Sequence, residues 1–101
     1  MTTRLLPKGW REQCTTFQRK VYEQALKIPR GQVRTYAEVA RAIGRPRAAR
    51  AVGQALKRNP WAPVIPCHRV IAAGGRMGGY SGGGGRSRKR CLLRQEGVAI
   101  A

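Results

Sequence analysis

The chain has 101 residues, 42% of them hydrophobic, and sets 21 lysines and arginines against four glutamates and no aspartate, a formal net charge of +17. That length suits a single domain with one core, the apolar content argues against wholesale disorder, and no window approaches the ~20 uninterrupted apolar residues of a membrane span. The opening residues Met1-Thr2-Thr3-Arg4-Leu5-Leu6-Pro7 are too short an apolar stretch for a signal peptide, so the protein is expected to be soluble, in the cytoplasm near the nucleoid or in a eukaryotic nucleus. Five of the basic residues are lysine and 16 are arginine, whose planar fork suits phosphates and base edges. Such a domain is expected to meet a polyanion, nucleic acid first; a lineage with basic proteins would give the same balance.

Residues 1–14 show little periodicity and are expected to form a loosely packed arm. From Thr16 apolar residues recur at helical spacing, Phe17, Val21, Ala25 and Ile28, with charges on the other face. Pro29-Arg30-Gly31 stops that helix. A short extended stretch, Gln32-Val33-Arg34, leads into Thr35-Tyr36-Ala37-Glu38, a capping box in which the Thr35 hydroxyl caps the Glu38 amide and the Glu38 carboxylate reaches back. The helix it opens turns Val39, Ala40 and Ile43 inward and ends at Gly44 in a left-handed conformation. Pro46 fits the first position of the next helix, whose apolar stripe is Ala48, Ala51, Val52, Ala55 and Leu56 and which Asn59-Pro60 ends. Two short helices joined by a glycine-containing turn make a helix-turn-helix. The second presents Arg45 and Arg47 at its start, Arg50 one turn on, and Lys57 and Arg58 at its end. Ala48, Ala49, Ala51 and Gly53 keep its surface small. This placement favours a nucleic-acid recognition helix, although an ordinary helical hairpin shares the periodicity.

Further on, the prolines of residues 61–66 exclude a central strand before Cys67, whereas Val70-Ile71 reads as a short strand. Residues 74–85 hold eight of the 13 glycines and read as turns around Tyr80-Ser81, either a hairpin wing or a flexible linker. The basic run 86–90 follows, unusually flexible and basic. Ser87 caps a last helix that carries Leu92, Leu93 and Glu96 and is closed by Gly97. The expected fold is mainly α with a small β element, a winged helix-turn-helix-like single domain over residues 16–97, between an arm of residues 1–15 and a tail of residues 98–101.

Cys14, Cys67 and Cys91 are odd in number, widely spaced and without a C-x-x-C pair, so neither a zinc site nor a disulfide framework is expected. Cys67-His68 is the one constellation with chemical content. A thiol attacks as thiolate, and its free pKa near 8.5 leaves only a few per cent ionised at neutral pH. A neighbouring imidazole can take that proton, directly or through a water, and a carboxylate can orient the imidazole. The orienting group must be Glu12, Glu23, Glu38 or Glu96. On an extended segment adjacent side chains oppose each other, which favours the water. A buried packing cysteine beside a surface histidine is the plainer alternative.

Ile65-Pro66-Cys67-His68-Arg69-Val70 resembles the active-site motif of the O6-alkylguanine-DNA alkyltransferases, and the likeness runs in order through residues 16–97. Thr16-Phe17-Gln18 is similar to the start of the family's DNA-binding domain. Arg34-Thr35-Tyr36-Ala37-Glu38-Val39-Ala40 resembles the segment whose tyrosine promotes nucleotide rotation, which falls on Tyr36. Arg47-Ala48-Ala49-Arg50-Ala51-Val52-Gly53 resembles the recognition helix, with the arginine finger on Arg50. Arg58-Asn59-Pro60 matches the turn whose asparagine, here Asn59, orders the Cys/His network. Gly79-Tyr80-Ser81-Gly82-Gly83 looks like the loop over the base, and Gln95-Glu96-Gly97 like the final Glu-Gly, which makes Glu96 the partner of His68.

What the resemblance implies is repair by direct reversal. The alkyl group of O6-alkylguanine would pass irreversibly to Cys67 after the nucleotide is flipped from double-stranded DNA approached in the minor groove. His68, Glu96, Asn59 and Tyr36 would complete the catalytic set. Arg47, Lys57 and Arg58 would hold phosphates, with Thr35, Ala51 and Gly53 on the same DNA-facing surface. Val70, Tyr80, Ser81, Trp61 and Pro66 would surround the base. No cofactor, metal or membrane is implied, and a monomer is expected. The family usually carries an N-terminal domain, whereas only residues 1–15 precede the matching region here. Single-domain relatives, the alkyltransferase-like proteins, lack a reactive cysteine at the position of Cys67 and flag lesions for excision-repair proteins. A winged-helix regulator or architectural DNA protein is the remaining alternative, but nothing in that class requires Cys-His after Pro66.

Overall fold

The computed structural model describes residues 6–61, 64–73 and 85–98. Helix α1, Thr16–Leu26, is opened by Thr15, whose side chain accepts from the Gln18 amide at 3.1 Å while the Gln18 side chain accepts from the Thr15 amide at 3.0 Å. This is a second capping box, with glutamine in the reciprocal place. The helix buries Val21, Tyr22 and Ala25, and Ile28 beyond its end; Phe17 is only half-buried. Gly31 then turns the chain at φ 89°, and a Cβ there would lie 3.3 Å from the Glu96 carbonyl oxygen. The turn after α1 and the end of the last helix therefore meet through glycine.

Strand β1, Arg34–Thr35, pairs in parallel with β2, Val70–Ile71, with Arg34 opposite Val70 and Thr35 opposite Ile71. Helix α2, Tyr36–Ala42, starts directly from β1 with the expected Thr35/Glu38 capping box. It ends in a Schellman motif: the Arg45 amide reaches the Ala40 carbonyl at 2.8 Å and the Gly44 amide reaches that of Arg41 at 3.0 Å, with Gly44 at φ 75°.

The next helix begins later than Pro46. The Ala48 amide bonds the Arg45 carbonyl at 2.9 Å, closing a turn with Pro46 in its second position, where the fixed φ of proline also fits. Helix α3 is Ala49–Lys57, so Arg45 and Arg47 sit on the turn rather than on the helix. Val52, Ala55 and Leu56 are buried, while Ala51, at the edge of the stripe, is exposed.

Helix α4, Gly85–Gln95, starts before Ser87, which lies inside its first turn and cannot cap it. Leu92, Leu93 and Lys89 are its buried residues. Its end repeats the design of α2: the Val98 amide reaches the Leu93 carbonyl at 2.9 Å, the Gly97 amide reaches that of Arg94 at 3.0 Å, and Gly97 has φ 82°. Glu96 is thus held at the cap.

The arm is not loosely packed over its described part. Trp10–Gln13 forms a 3-10 turn after Gly9, and Trp10 is only 6% exposed within the core cluster. An isolated tryptophan leaves no periodic signal, yet its buried ring ties the turn to the core. The expected wing over residues 74–84 lies outside the described residues. Among the described residues, no helix is long and apolar enough to cross a membrane.

Candidate active site

Cys67 sits in a 3-10 turn, Cys67–Arg69, that leads directly into β2. The expectation of an extended Cys-His segment is therefore wrong: the Cys67 amide bonds the Ile65 carbonyl at 2.8 Å and the Arg69 amide bonds that of Pro66 at 2.9 Å, and these bonds coil the segment. Cys67 and His68 are both buried, whereas Cys14 is half-buried and Cys91 exposed.

Of the four glutamates, Glu96 meets His68. Its Oε2 lies 2.8 Å from His68 Nε2, although 28 positions separate the two residues. Glu23 pairs with Arg11, Glu38 caps α2, and Glu12 is exposed. Arg69 also grips Glu96 in a fork, with Nε donating to Oε1 at 2.9 Å and Nη2 to Oε2 at 2.8 Å, while Nη1 donates to the Ile28 carbonyl at 2.9 Å. The motif match named Arg69 without giving it a task; the task is to hold the carboxylate from the second side.

A carboxylate only accepts, so its contact assigns the imidazole proton to Nε2 and leaves the Nδ1 lone pair as acceptor. Nδ1 is buried and has no hydrogen-bond partner among the described residues. Burial lowers the His68 pKa, the hydrogen bond and charge of Glu96 raise it, and the charges of Arg69 and Lys89 lower it, the net shift being downward. The ring is therefore neutral at pH 7. Burial pushes the Glu96 carboxyl up, but hydrogen bonds from Arg69 and His68, with the Arg69 charge, outweigh it and bring it down to about 2. An ionised carboxylate, an oriented neutral imidazole and a neighbouring thiol form an activated-nucleophile arrangement.

Asn59 ties the preceding loop to this turn. Its Nδ2 donates to the Ile65 carbonyl at 2.9 Å, and its Oδ1 accepts from the Trp61 amide at 2.9 Å. On the other side, Lys89 is fully buried, its Nζ donating to the Val70 carbonyl at 2.8 Å and lying 5.8 Å from the centroid of the Tyr36 ring. Sequence reasoning placed Lys89 in a flexible basic run. Its spacing to Leu92, Leu93 and Glu96 is that of one helix face, and that signal could have found it.

Tyr36, the first residue of α2, lines a groove of about 290 Å³ with Ala49, Arg50, Gly53, Gln54 and Lys57. A Cβ on Gly53 would stand 4.0 Å from the tyrosine ring, an ordinary contact distance, so Tyr36 lies close against α3 here. Arg47 and Arg58 are exposed on either end of the same segment. Pro66 and Val70 are buried around Cys67. Trp61 instead makes edge-on ring contacts with Trp10 and Tyr22. Tyr80 and Ser81 lie outside the described residues.

Residues 16–98 match the family described as 6-O-methylguanine DNA methyltransferase, DNA binding domain. A methylated-DNA–protein-cysteine methyltransferase of Mycobacterium bovis is 54% identical over 82 residues, covering 81% of this chain and 48% of that protein. Mycobacterium tuberculosis OGT, solved in complex with DNA, aligns with a TM-score of 0.77 at 53% identity over 82% of this chain and 50% of its own. S. pombe Atl1, solved in complex with damaged DNA containing O6-carboxymethylguanine, aligns with a TM-score of 0.75 at 41% identity over 84% of this chain and 79% of its own. The chain spans about half the length of the curated relatives it matches. With the fold, the ordered motifs and the identity all in agreement, the chain belongs to the O6-methylguanine-DNA methyltransferase family, through its DNA-binding domain.

Proposed function

We propose that this chain binds duplex DNA, turns an O6-alkylguanine nucleotide out of the stack, and takes its alkyl group onto Cys67 in one irreversible turnover. The observation that carries the reading is the buried His68, fixed by Glu96 on Nε2 and open at Nδ1, next in sequence to a buried thiol. The thiol proton passes to Nδ1, directly or through a water. The sulfur then forms a bond to the alkyl carbon as the carbon–O6 bond breaks. The electron pair stays on guanine, which takes up a proton, and the cysteine is left as a thioether. Tyr36 donates to guanine N3 as negative charge develops there, which lowers the barrier electrostatically. Because O6 is shielded within the duplex, extrusion comes first, and the Arg50 side chain fills the gap and stacks on the neighbouring bases.

Intact-protein mass after incubation with an O6-methylguanine duplex tests this directly. One methyl group per chain, mapped to Cys67, is the expected result, and Cys67→Ala should bind the duplex without gaining mass. A second reading, a lesion-binding protein of the alkyltransferase-like kind that hands the site to excision repair, has the support that Atl1, solved with damaged DNA, shares this fold at 41% identity. Lesion-selective binding without any mass shift would decide for it.

A further inference from the structure

The loop that delivers Cys67 is poor in backbone donors by sequence. Pro60, Pro63 and Pro66 remove three amide donors from the seven residues before it. What holds the loop is a short series of contacts that begins in the arm. Trp10 and Trp61 are the chain's two tryptophans, and their rings meet edge-on with centroids 5.7 Å apart at 69°. Tyr22 meets Trp61 from α1 at 6.3 Å and 89°, and its hydroxyl donates to the Ala55 carbonyl at 2.7 Å. From Trp61 the series continues through hydrogen bonds. Its amide donates to Asn59 Oδ1 at 2.9 Å and its carbonyl accepts from the Ile65 amide at 3.0 Å. The Ile65 carbonyl then receives both Asn59 Nδ2 at 2.9 Å and the Cys67 amide at 2.8 Å.

The arm end is itself fixed. The Trp10 amide bonds the Pro7 carbonyl at 3.1 Å, the Arg11 guanidinium stacks 4.7 Å from the Trp10 centroid, and Arg11 Nε donates to Glu23 at 2.8 Å. An edge-on aromatic pair of this kind contributes about 0.5–1.5 kcal/mol beyond its area. Here that contact falls on a segment whose backbone is short of donors.

We propose that Trp10 is a positioning residue: through Trp61 and Asn59, the arm sets the register of the loop that carries the Cys67 nucleophile. The inference rests on the transfer reading for its kinetic consequence. Its structural core, the link from arm to thiol, can be tested without DNA.

The experiment uses the full chain and two variants, Trp10→Phe and Trp10→Ala. Four quantities are read: single-turnover methyl transfer, affinity for unmodified duplex, the tryptophan exciton couplet in circular dichroism, and the pH profile of Cys67 modification by iodoacetamide, mapped by mass. Both variants should lose the couplet and shift the Cys67 pH profile. Trp10→Ala should transfer roughly 10-fold to 100-fold more slowly, as expected when a reacting atom is displaced by about 1 Å, with duplex affinity nearly unchanged. Trp10→Phe, which keeps a ring, should recover most of the rate. Should Trp10→Ala fail to fold, the shifted pH profile in Trp10→Phe carries the test alone. An unshifted Cys67 profile in a folded variant that has lost the couplet overturns the proposal, as does a loss of transfer matched by an equal loss of duplex affinity. If the wild-type chain transfers nothing, the transfer reading fails, while the iodoacetamide profiles still decide whether the arm positions the thiol.

Discussion

The protein treats charge in opposite ways on its two sides. Around β2, Glu96, Arg69, His68 and Lys89 are largely withdrawn from water, and each is matched to a named atom. Along residues 45–58, Arg45, Arg47, Arg50, Lys57 and Arg58 stand exposed. Buried pairs feel salt weakly and cost stability when one partner is lost. Exposed cations stabilise the fold little but set how a polyanion is met. The difference teaches that folding leans on the buried charges and leaves the exposed cations available to meet a polyanion, so substitutions should separate the two.

The sharpest way to break that separation is to remove the buried carboxylate. Glu96→Ala leaves Arg69 and His68 uncompensated, and equilibrium denaturation should show a loss of about 3–5 kcal/mol. Glu96→Gln keeps the shape and some hydrogen bonding; it should stay folded but slow transfer at neutral pH, and equal rates for the two proteins across a pH series would rule out the relay. On the exposed side, Arg50→Ala should lower single-turnover transfer by about 10-fold or more, since the extruded state loses its alignment, with a far smaller change in nonspecific affinity. Lysine at that position should do better than alanine. If Arg50→Ala instead behaves like a phosphate-contact loss, the finger role falls.

Acid should act on the buried side through His68 and Glu96, and on the exposed Glu38, whose carboxyl the Thr35 amide also holds below its ordinary value. His68 and Glu96 both have folded pKa values below their ordinary ones, so the unfolded chain binds more protons across each window and stability rises with pH there. The His68 contribution is complete above its ordinary 6.5 and is lost as pH falls below it. That of Glu96 is complete above 4.5 and fades as pH falls toward about 2. Urea midpoints measured from pH 7 to pH 3 should drop, and more steeply in the wild type than in Glu96→Gln. Arg47→Ala should leave those midpoints alone and flatten the log–log salt dependence of duplex binding by about 0.9. Smallest of all, Arg11→Ala, which opens an exposed pair with Glu23, should cost less than about 1 kcal/mol by the same measurement.

Legibility in the sequence followed the range of the interaction. The Thr35/Glu38 box, the ends at Gly44 and Gly97, and the Val70-Ile71 strand are written within five or six residues of themselves, and the structure has them all. Cys67, His68 and Glu96 were found together only through resemblance, because no local pattern links positions 28 apart. Trp10 and Lys89 escaped. Each is buried by a distant element, and each sits in a stretch whose composition reads as solvated. The start of α3 was misplaced because proline at 46 serves a turn as well as a helix start, and only the bond from Ala48 to Arg45 decides between them.

Glu96 is also the cap of the last helix, locked by the Gly97 and Val98 amides. During synthesis Cys67 and His68 leave the ribosome well before the carboxylate that completes them. Until the closing glycine and valine have emerged and α4 has wound, the nascent chain carries a thiol whose histidine has no fixed tautomer. A chain truncated before Gly97 would thus lack the fixed imidazole on which the proposed transfer depends.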